Sequence, residues 1–204
     1  MEGGSLEKRE VAGLSFPEYT KRLRLKNMPN LTLTNLYKAL PENLDTLHLR
    51  NTIVTPEDLG LIADRVCSFN AGKRLRYLGL ELLDCFEETA TDQTLFHLET
   101  ATDQTLFHLN RIIQTHHATL EVINLSRNTI STKLMSSIAH TLSRFGCPNL
   151  KLIILCHMKN LLFNSIEALG GFVSLGLQLT VMFTLGHYNP KSKDVVEFKA
   201  IAGN

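Results

Sequence analysis

The sequence predicts an α/β fold in which short parallel strands alternate with helices along an array of similar units. Three observations support this fold class. Leucine accounts for 36 of the 204 residues, one short leucine pattern recurs along the chain, and helix signals separate its occurrences. A single strand–helix unit cannot bury its own apolar face, so neighbouring units must stack against each other, as they do in a solenoid.

The pattern L-x-x-L-x-L predicts the strands. It occurs, with varying completeness, as KRLRLKN at 21–27, LDTLHLRN at 44–51, LRYLGL at 75–80, LEVINLSRN at 120–128, LKLIIL at 150–155 and LGLQLT at 175–180. Leucines that alternate with other residues bury one face of each strand. The last leucine positions, Leu25, Leu49, Leu80, Leu125, Leu155 and Leu179, are 24, 31, 45, 30 and 24 residues apart.

Asparagine follows several of these strands. Asn128 comes three residues after Leu125, whereas Asn27 and Asn51 come two residues after their leucines. An asparagine side chain is suited to hydrogen-bonding backbone groups where the chain turns out of a sheet. We therefore expect polar turns at the strand ends, and the early asparagines leave the turn geometry of the first two units open.

An internal duplication explains the longest interval. The segment ETATDQTLFHL occupies 88–98 and recurs without change at 99–109. Eleven residues make about three helical turns, so a tandem copy within a helix keeps its apolar residues on nearly the same face. Both copies contain a Thr-Asp pair that can begin a helix. We expect the second copy to pack as the helix and the first to form an extra helical turn or a loop.

The helix signals between the strands are specific. In TPEDLGLIADRVCSF, Thr55 is placed to cap a helix that begins at Pro56. In STKLMSSIAHTLSRFG, Ser131 is the expected cap and Gly146 the expected stop. Further helices are expected in LTLTNLYKAL, DQTLFHLNRIIQTHH and NLLFNSIEALGG.

The segments LDTLHLRNTIVTPEDLGLIADRV and LEVINLSRNTISTKLMSSIAHTL resemble leucine-rich repeats of the ribonuclease-inhibitor type. The resemblance implies a leucine-rich repeat solenoid, a horseshoe fragment with parallel strands on its concave face and helices on its convex face. We expect an N-terminal tail or cap at 1–18, about six repeat units at 19–186 and a C-terminal tail at 187–204. Proteins of this type act mainly by binding other proteins through the concave face.

Strand alternation predicts the candidate binding residues directly. The residues beside the leucines point away from the core. We select from them the following eight as partner-binding candidates: Arg22, Arg24, Lys26, His48, Arg50, Tyr77, Glu81 and Asn124. The basic end of this series predicts an acidic partner surface. An alternative stays open, in which the cations only prevent edge pairing and keep the chain in solution.

The last units present apolar residues at the same positions, Leu152 and Ile154 among them. These side chains are expected either to anchor a partner or to be covered, by a C-terminal segment such as DVVEFKAI at 194–201 or by an oligomer contact. In the uncharged stretch 168–186, we expect a helix to end at Leu169 and 177–185 to form the terminal strand region. The glycines and Gln178 suit this arrangement better than a lipid-facing helix that spans a membrane.

Composition excludes several classes of function. A net charge of +1 argues against a nucleic-acid binder or a polybasic membrane-surface protein. The four cysteines show no metal-binding spacing. The chain contains none of the motifs of hydrolases, metalloproteases or nucleotide-binding enzymes. The expectation is therefore a protein without enzyme activity, metal or cofactor that binds a protein partner in the cytoplasm.

Two other functions are compatible with the sequence. The first is a regulator of an enzyme, such as a GTPase activator or inhibitor, acting through an arginine on a rim loop such as Arg76 or Arg127. The second is a fragment of a larger repeat receptor.

Overall fold

The computed structural model describes residues 15–27, 33–52, 54–68, 75–83, 95–128, 132–158, 179–183 and 196–200. Strands and helices alternate along most of this part of the chain. In chain order they are β1 (Arg22–Lys26), α1 (Leu33–Ala39), β2 (Thr46–Thr52), α2 (Pro56–Cys67), β3 (Tyr77–Leu83), α3 (Leu95–His116), β4 (Val122–Asn124), α4 (Thr132–Phe145), β5 (Leu152–Leu155), β6 (Leu179–Phe183) and β7 (Val196–Ala200).

The seven strands form one sheet in which spatial order equals chain order, β1 to β7. Each neighbouring pair from β1 to β6 is parallel. This confirms the predicted α/β class with a parallel sheet. The last strand departs from the prediction, because β7 pairs with β6 in the antiparallel direction and lies in the segment expected to be a tail. An antiparallel neighbour needs no crossover helix, so a short connection is sufficient.

One face of the sheet carries the core. The strand register aligns Leu23, Leu47 and Leu78 across β1, β2 and β3, and all three side chains are buried. The buried residues of the helices belong to the same apolar cluster. Helix α2 packs between α1 and α3, and α4 packs on α3. The described helices therefore cover the leucine side of the sheet, where each burial of a leucine is worth about 1.5–3 kcal/mol.

Local signals position the helices as the sequence predicts. Thr55 caps α2 through a reciprocal capping box, in which the Asp58 amide donates to the Thr55 hydroxyl and the Thr55 amide donates to the Asp58 carboxylate. Gly146 ends α4 in the left-handed conformation, with φ of 66°. Ser131, the expected cap of α4, and the helix expected within 160–171 lie outside the described residues.

The duplicated segment forms part of one long helix. Helix α3 has 22 residues, against 12 in α2 and 14 in α4. It contains the whole second copy and the last four residues of the first, Leu95 to Leu98. Thr105 and Leu109 of the second copy are buried, which agrees with the expectation that this copy packs as the helix. Residues 95–98 add about one helical turn.

The sixth unit is shifted relative to the sequence assignment. Leu155 aligns with Phe183, and Leu152 aligns with Thr180. The position equivalent to Leu155 is thus Phe183, so taking Leu179 as the last leucine position of this unit was wrong. Strand β6 itself lies within the strand region expected at 177–185. A shift of four residues leaves every side chain on the same face of the strand, so alternation alone does not choose between these two registers.

Candidate functional site

The strand residues that alternate with the core leucines line up in rows across the second face of the sheet. One row runs from Arg22 through Thr46 and Tyr77 to Val122, and the next from Arg24 through His48 and Gly79 to Asn124. A third row joins Lys26, Arg50 and Glu81. We call the surface formed by these three rows the open face. All eight sequence-predicted binding residues lie on it.

Strand β1 supplies the most accessible cations of the open face. Arg22, Arg24 and Lys26 are exposed, whereas Leu23 between them is buried. Among the described residues, none of these three cations lies within 4.0 Å of a carboxylate. Because β1 is the first strand of the sheet, this row of positive charge stands at the edge of the open face.

Glu81 organises the centre of the open face. Its Oε1 atom lies 3.2 Å from Nε of Arg50 and 3.2 Å from Nε of Arg127. Its Oε2 atom lies 3.3 Å from Nε2 of His48. The sequence predicted Glu81 as an outward-facing contact residue, but its side chain is only 9% exposed. Glu81 therefore holds the surface together, and Arg50 is engaged within the chain rather than free for a partner.

The electrostatics of this cluster favour the ionised form of Glu81. Burial alone would raise the pKa of the carboxyl group, but the hydrogen bond from His48 and the charges of Arg50 and Arg127 hold the pKa below its usual range. A carboxylate shared by two guanidinium groups is a strong, directional contact. The cluster thereby fixes the positions of side chains from β2, β3 and the turn after β4.

A glycine makes room for the aromatic part of the open face. A Cβ atom at Gly79 would lie 2.5 Å from Cδ2 of His48 and 2.8 Å from Cε1 of Tyr77. Without it, the His48 and Tyr77 rings approach to 5.6 Å between centroids. The Asn124 side-chain amide donates to the Tyr77 hydroxyl over 3.3 Å, and Asn124 is 8% exposed. Asn124 therefore supports Tyr77 more than it faces solvent.

The strands end in a recurring backbone conformation. Asn27, Asn51, Arg127 and His157 have positive φ, between 48° and 66°. Each lies two residues after the last leucine of its unit, so the turn repeats in register. Asparagine tolerates this left-handed region better than most residues, which explains the early asparagines of the first two units.

Asn128 has a different role from these turn residues. It is buried, its Nδ2 atom donates to the carbonyls of Leu80 and Leu125, and its Oδ1 atom accepts from the amide of Leu83. It thus ties together the ends of two neighbouring strands. The sequence expectation that Asn128 bonds the backbone at the turn is confirmed.

Sequence reasoning missed a second charged row. The residues immediately before five strands alternate in sign, and they are Lys21, Asp45, Arg76, Glu121 and Lys151. Backbone hydrogen bonds connect each to the next, for example from the Arg76 amide to the Asp45 carbonyl and from the Glu121 amide to the Arg76 carbonyl. The signal was available as the residue that precedes each apolar pattern. Arg127 is the third side chain that contacts Glu81, but from the sequence it was expected only as an unpaired arginine on a rim loop.

Two shallow grooves lie beside this charged row. One has a volume of about 290 Å³ and is lined by Lys21, Asp45 and Arg76 among others. The other has about 210 Å³ and reaches Arg22 and Tyr77. Both fall below the roughly 300–1,000 Å³ of typical small-molecule sites.

Two of the described thiols, Cys147 and Cys156, show no activation. Burial raises the pKa of Cys147 to about 11. Burial, followed by the charge of Glu81, also raises the pKa of Cys156. Since the thiolate is the reactive form, both cysteines are poor nucleophiles near neutral pH.

Neither a metal-binding cluster nor a membrane-spanning helix is found within the described ranges. No group of three or more His, Cys, Asp or Glu side chains there is placed to hold a metal ion. Of the helices in the same part of the chain, none combines the length and apolar character needed to cross a bilayer.

Comparison with known proteins adds no family to these observations. No protein-family model matches the chain, and a search of curated proteins finds no match.

Proposed function

We propose that this protein is a leucine-rich repeat solenoid that binds an acidic protein partner through the open face of its sheet. The observation that carries the proposal is the set of exposed cations Arg22, Arg24 and Lys26, aligned in register with His48 and Arg50 on the face opposite the helices. Complementary charge of this kind steers association and selects partners.

The repeat assignment is supported by the sheet and its turns together. Strand order follows chain order, the core leucines of β1 to β3 are in register, and four units turn out of the sheet through a left-handed residue at the same position. A solenoid produces all three features, because each unit repeats the path of the one before it.

The regulatory alternative has less support. It needs a free arginine on a rim, but Nε of Arg76 donates to Oε1 of Glu121 over 2.8 Å, and Arg127 is paired with Glu81. Binding through the open face is therefore the preferred function.

The test compares two double charge reversals of equal size. Arg22→Glu with Arg24→Glu reverses the edge of the open face, while Lys38→Glu with Arg144→Glu reverses two cations on helices α1 and α4. Each double substitution is made in the full chain. Partners are captured from a lysate with a chemical cross-linker, and the thermal midpoint of unfolding is measured for each variant.

The proposal expects the open-face variant to lose the proteins that the wild type captures, with a thermal midpoint close to that of the wild type. The helix variant should retain them, and the cross-links of the wild type should map to β1 and β2. Equal capture by both variants, or cross-links confined to the helices, would contradict the proposal.

A further inference from the structure

The backbone of β1 has a second property that its side chains alone do not reveal. In the ladder with β2, the Asn27 amide donates to the Arg50 carbonyl and the Lys21 carbonyl accepts from the Thr46 amide. In a parallel ladder the residues that bond one neighbour alternate along the strand. The odd-numbered residues of β1 therefore pair with β2, and Arg22, Arg24 and Lys26 direct their backbone N–H and C=O groups to the outer edge.

Among the described residues, no strand pairs with this outer edge, because β1 ends the sheet. The same three residues present their side chains on the open face. Successive members of the set are about 6.6 Å apart along the strand. One row of residues thus offers both a hydrogen-bonding edge that no other described strand uses and an evenly spaced set of positive charges.

The charges of the neighbouring strands indicate what fits there. Lys26 lies beside Arg50 in the register, and like charges directly opposite each other on a sheet are unfavourable. Arg50 is compensated by Glu81 on its other side. Lys26 has no such carboxylate among the described residues. An acidic strand along the outer edge would supply it.

We propose that the outer edge of β1 binds an extended acidic segment of a partner protein as an added strand, with Asp or Glu at every second residue facing Arg22, Arg24 and Lys26. In such an arrangement the opposed side chains are about 4.5–5.5 Å apart at Cβ. Main-chain hydrogen bonds supply affinity and the alternating carboxylates supply specificity. The inference rests on the proposed binding function and specifies the partner's conformation and charge pattern.

The probe is a fluorescent, end-blocked peptide in which Glu and Thr alternate, tested on the full chain by fluorescence anisotropy. A peptide of the same composition with all glutamates in one block is the first control. Two N-methylated versions of the alternating peptide carry the methyl groups on the Glu amides or on the Thr amides. Only one of these sets faces β1 in an added strand.

The expected results are selective. The alternating peptide should bind more tightly than the block peptide, and one N-methylated version should bind at least about tenfold more weakly, since it lacks the donors that face β1. The other N-methylated version should bind like the parent. Equal binding of the alternating and block peptides, or of both methylated versions, would overturn strand addition and leave charge attraction alone.

Two variants of one residue give an independent readout. Arg24→Gln and Arg24→Pro remove the same charge, but only the proline also removes an outward-facing amide, which an edge strand tolerates because that amide does not bond β2. We expect Arg24→Pro to bind the peptide about tenfold more weakly than Arg24→Gln.

Circular dichroism checks that both variants retain the fold, and equal affinities of the two folded variants would contradict the proposal. Sedimentation of the chain without peptide tests the other occupant, a second copy. A dimer that Arg24→Pro disrupts and that the peptide cannot displace would assign the edge to self-association instead. Loss of peptide selectivity with retained charge-dependent capture would refute the added strand without refuting the proposed function.

Discussion

The two faces of the sheet are built from the same strands yet differ in every physical respect. The core face is built from leucine and isoleucine, and Leu47, Leu49, Leu78 and Leu80 are completely buried. The open face changes from strand to strand: β1 carries exposed cations, whereas the cations near Glu81 are paired with its carboxylate. Since side chains alternate between faces, one strand can conserve packing on one side while it varies chemistry on the other.

The largest expected effect lies on the core face. Leu49→Ala should lower the free energy of unfolding by about 2–5 kcal/mol, because it leaves a cavity among fully buried neighbours. Leu25→Ala, at the aligned position of β1, is the matched control, and it should cost less because Leu25 is only partly buried. Chemical denaturation measures both. Equal losses would show that the core does not thin toward β1.

A smaller effect is expected where the strands end. Asn128→Ala leaves the Leu83 amide and two carbonyls without their side-chain partner, at a cost of about 2–3 kcal/mol. The control is Asn149→Ala, which removes one exposed hydrogen bond, to the Ala118 carbonyl. Denaturation curves should separate the two variants clearly. Similar stabilities would mean that Asn128 does not connect the ends of β3 and β4.

On the open face, Glu81→Gln should lower the free energy of unfolding at pH 7 by about 1–3 kcal/mol, because Arg50 and Arg127 lose the carboxylate that pairs with both of them. The folded-state pKa of Glu81 is lowered from 4.5. Its carboxylate therefore stabilises the fold above about pH 4.5, and that contribution disappears as the pH falls through the folded-state value.

The difference between wild type and Glu81→Gln should accordingly shrink in denaturation curves recorded from pH 7 down to about pH 3. Glu42→Gln is the control, because the Glu42 side chain is 62% exposed and such surface pairs contribute about 0–1 kcal/mol. A constant difference for Glu81→Gln across this range would contradict the ionised cluster.

Much of this molecule could be predicted from periodicity, and the failures have physical causes. The capped helix at Thr55 and the strands around Leu49 and Leu125 follow from local sequence signals, namely a capping residue and alternating leucines. The region of the last strand was predicted, but its register was not, because a shift from Leu179 to Phe183 leaves the alternation of faces unchanged. Direct inspection of the sequence also cannot show that the antiparallel β7 closes the sheet.

The open face divides in the same way. Alternation alone predicted that Arg24, His48 and Tyr77 share a surface, and the register agrees. What alternation cannot predict is compensation between distant residues. Arg50 and Arg127 both pair with the buried carboxylate of Glu81, although they lie 31 and 46 positions away from it in the sequence. Only the fold brings these side chains together. The sequence therefore assigned Glu81 and Arg50 to a partner rather than to each other.

The most direct test of the account is a glutamine scan of Arg22 to Lys26 in which partner capture and the thermal midpoint are measured for every variant. We expect the two measured effects to alternate from one residue to the next along the strand. Glutamine at Leu23 or Leu25 should lower the midpoint, while glutamine at Arg22, Arg24 or Lys26 should weaken capture and leave the midpoint unchanged. Capture that falls only where the midpoint falls would contradict the separation of a structural face from a binding face.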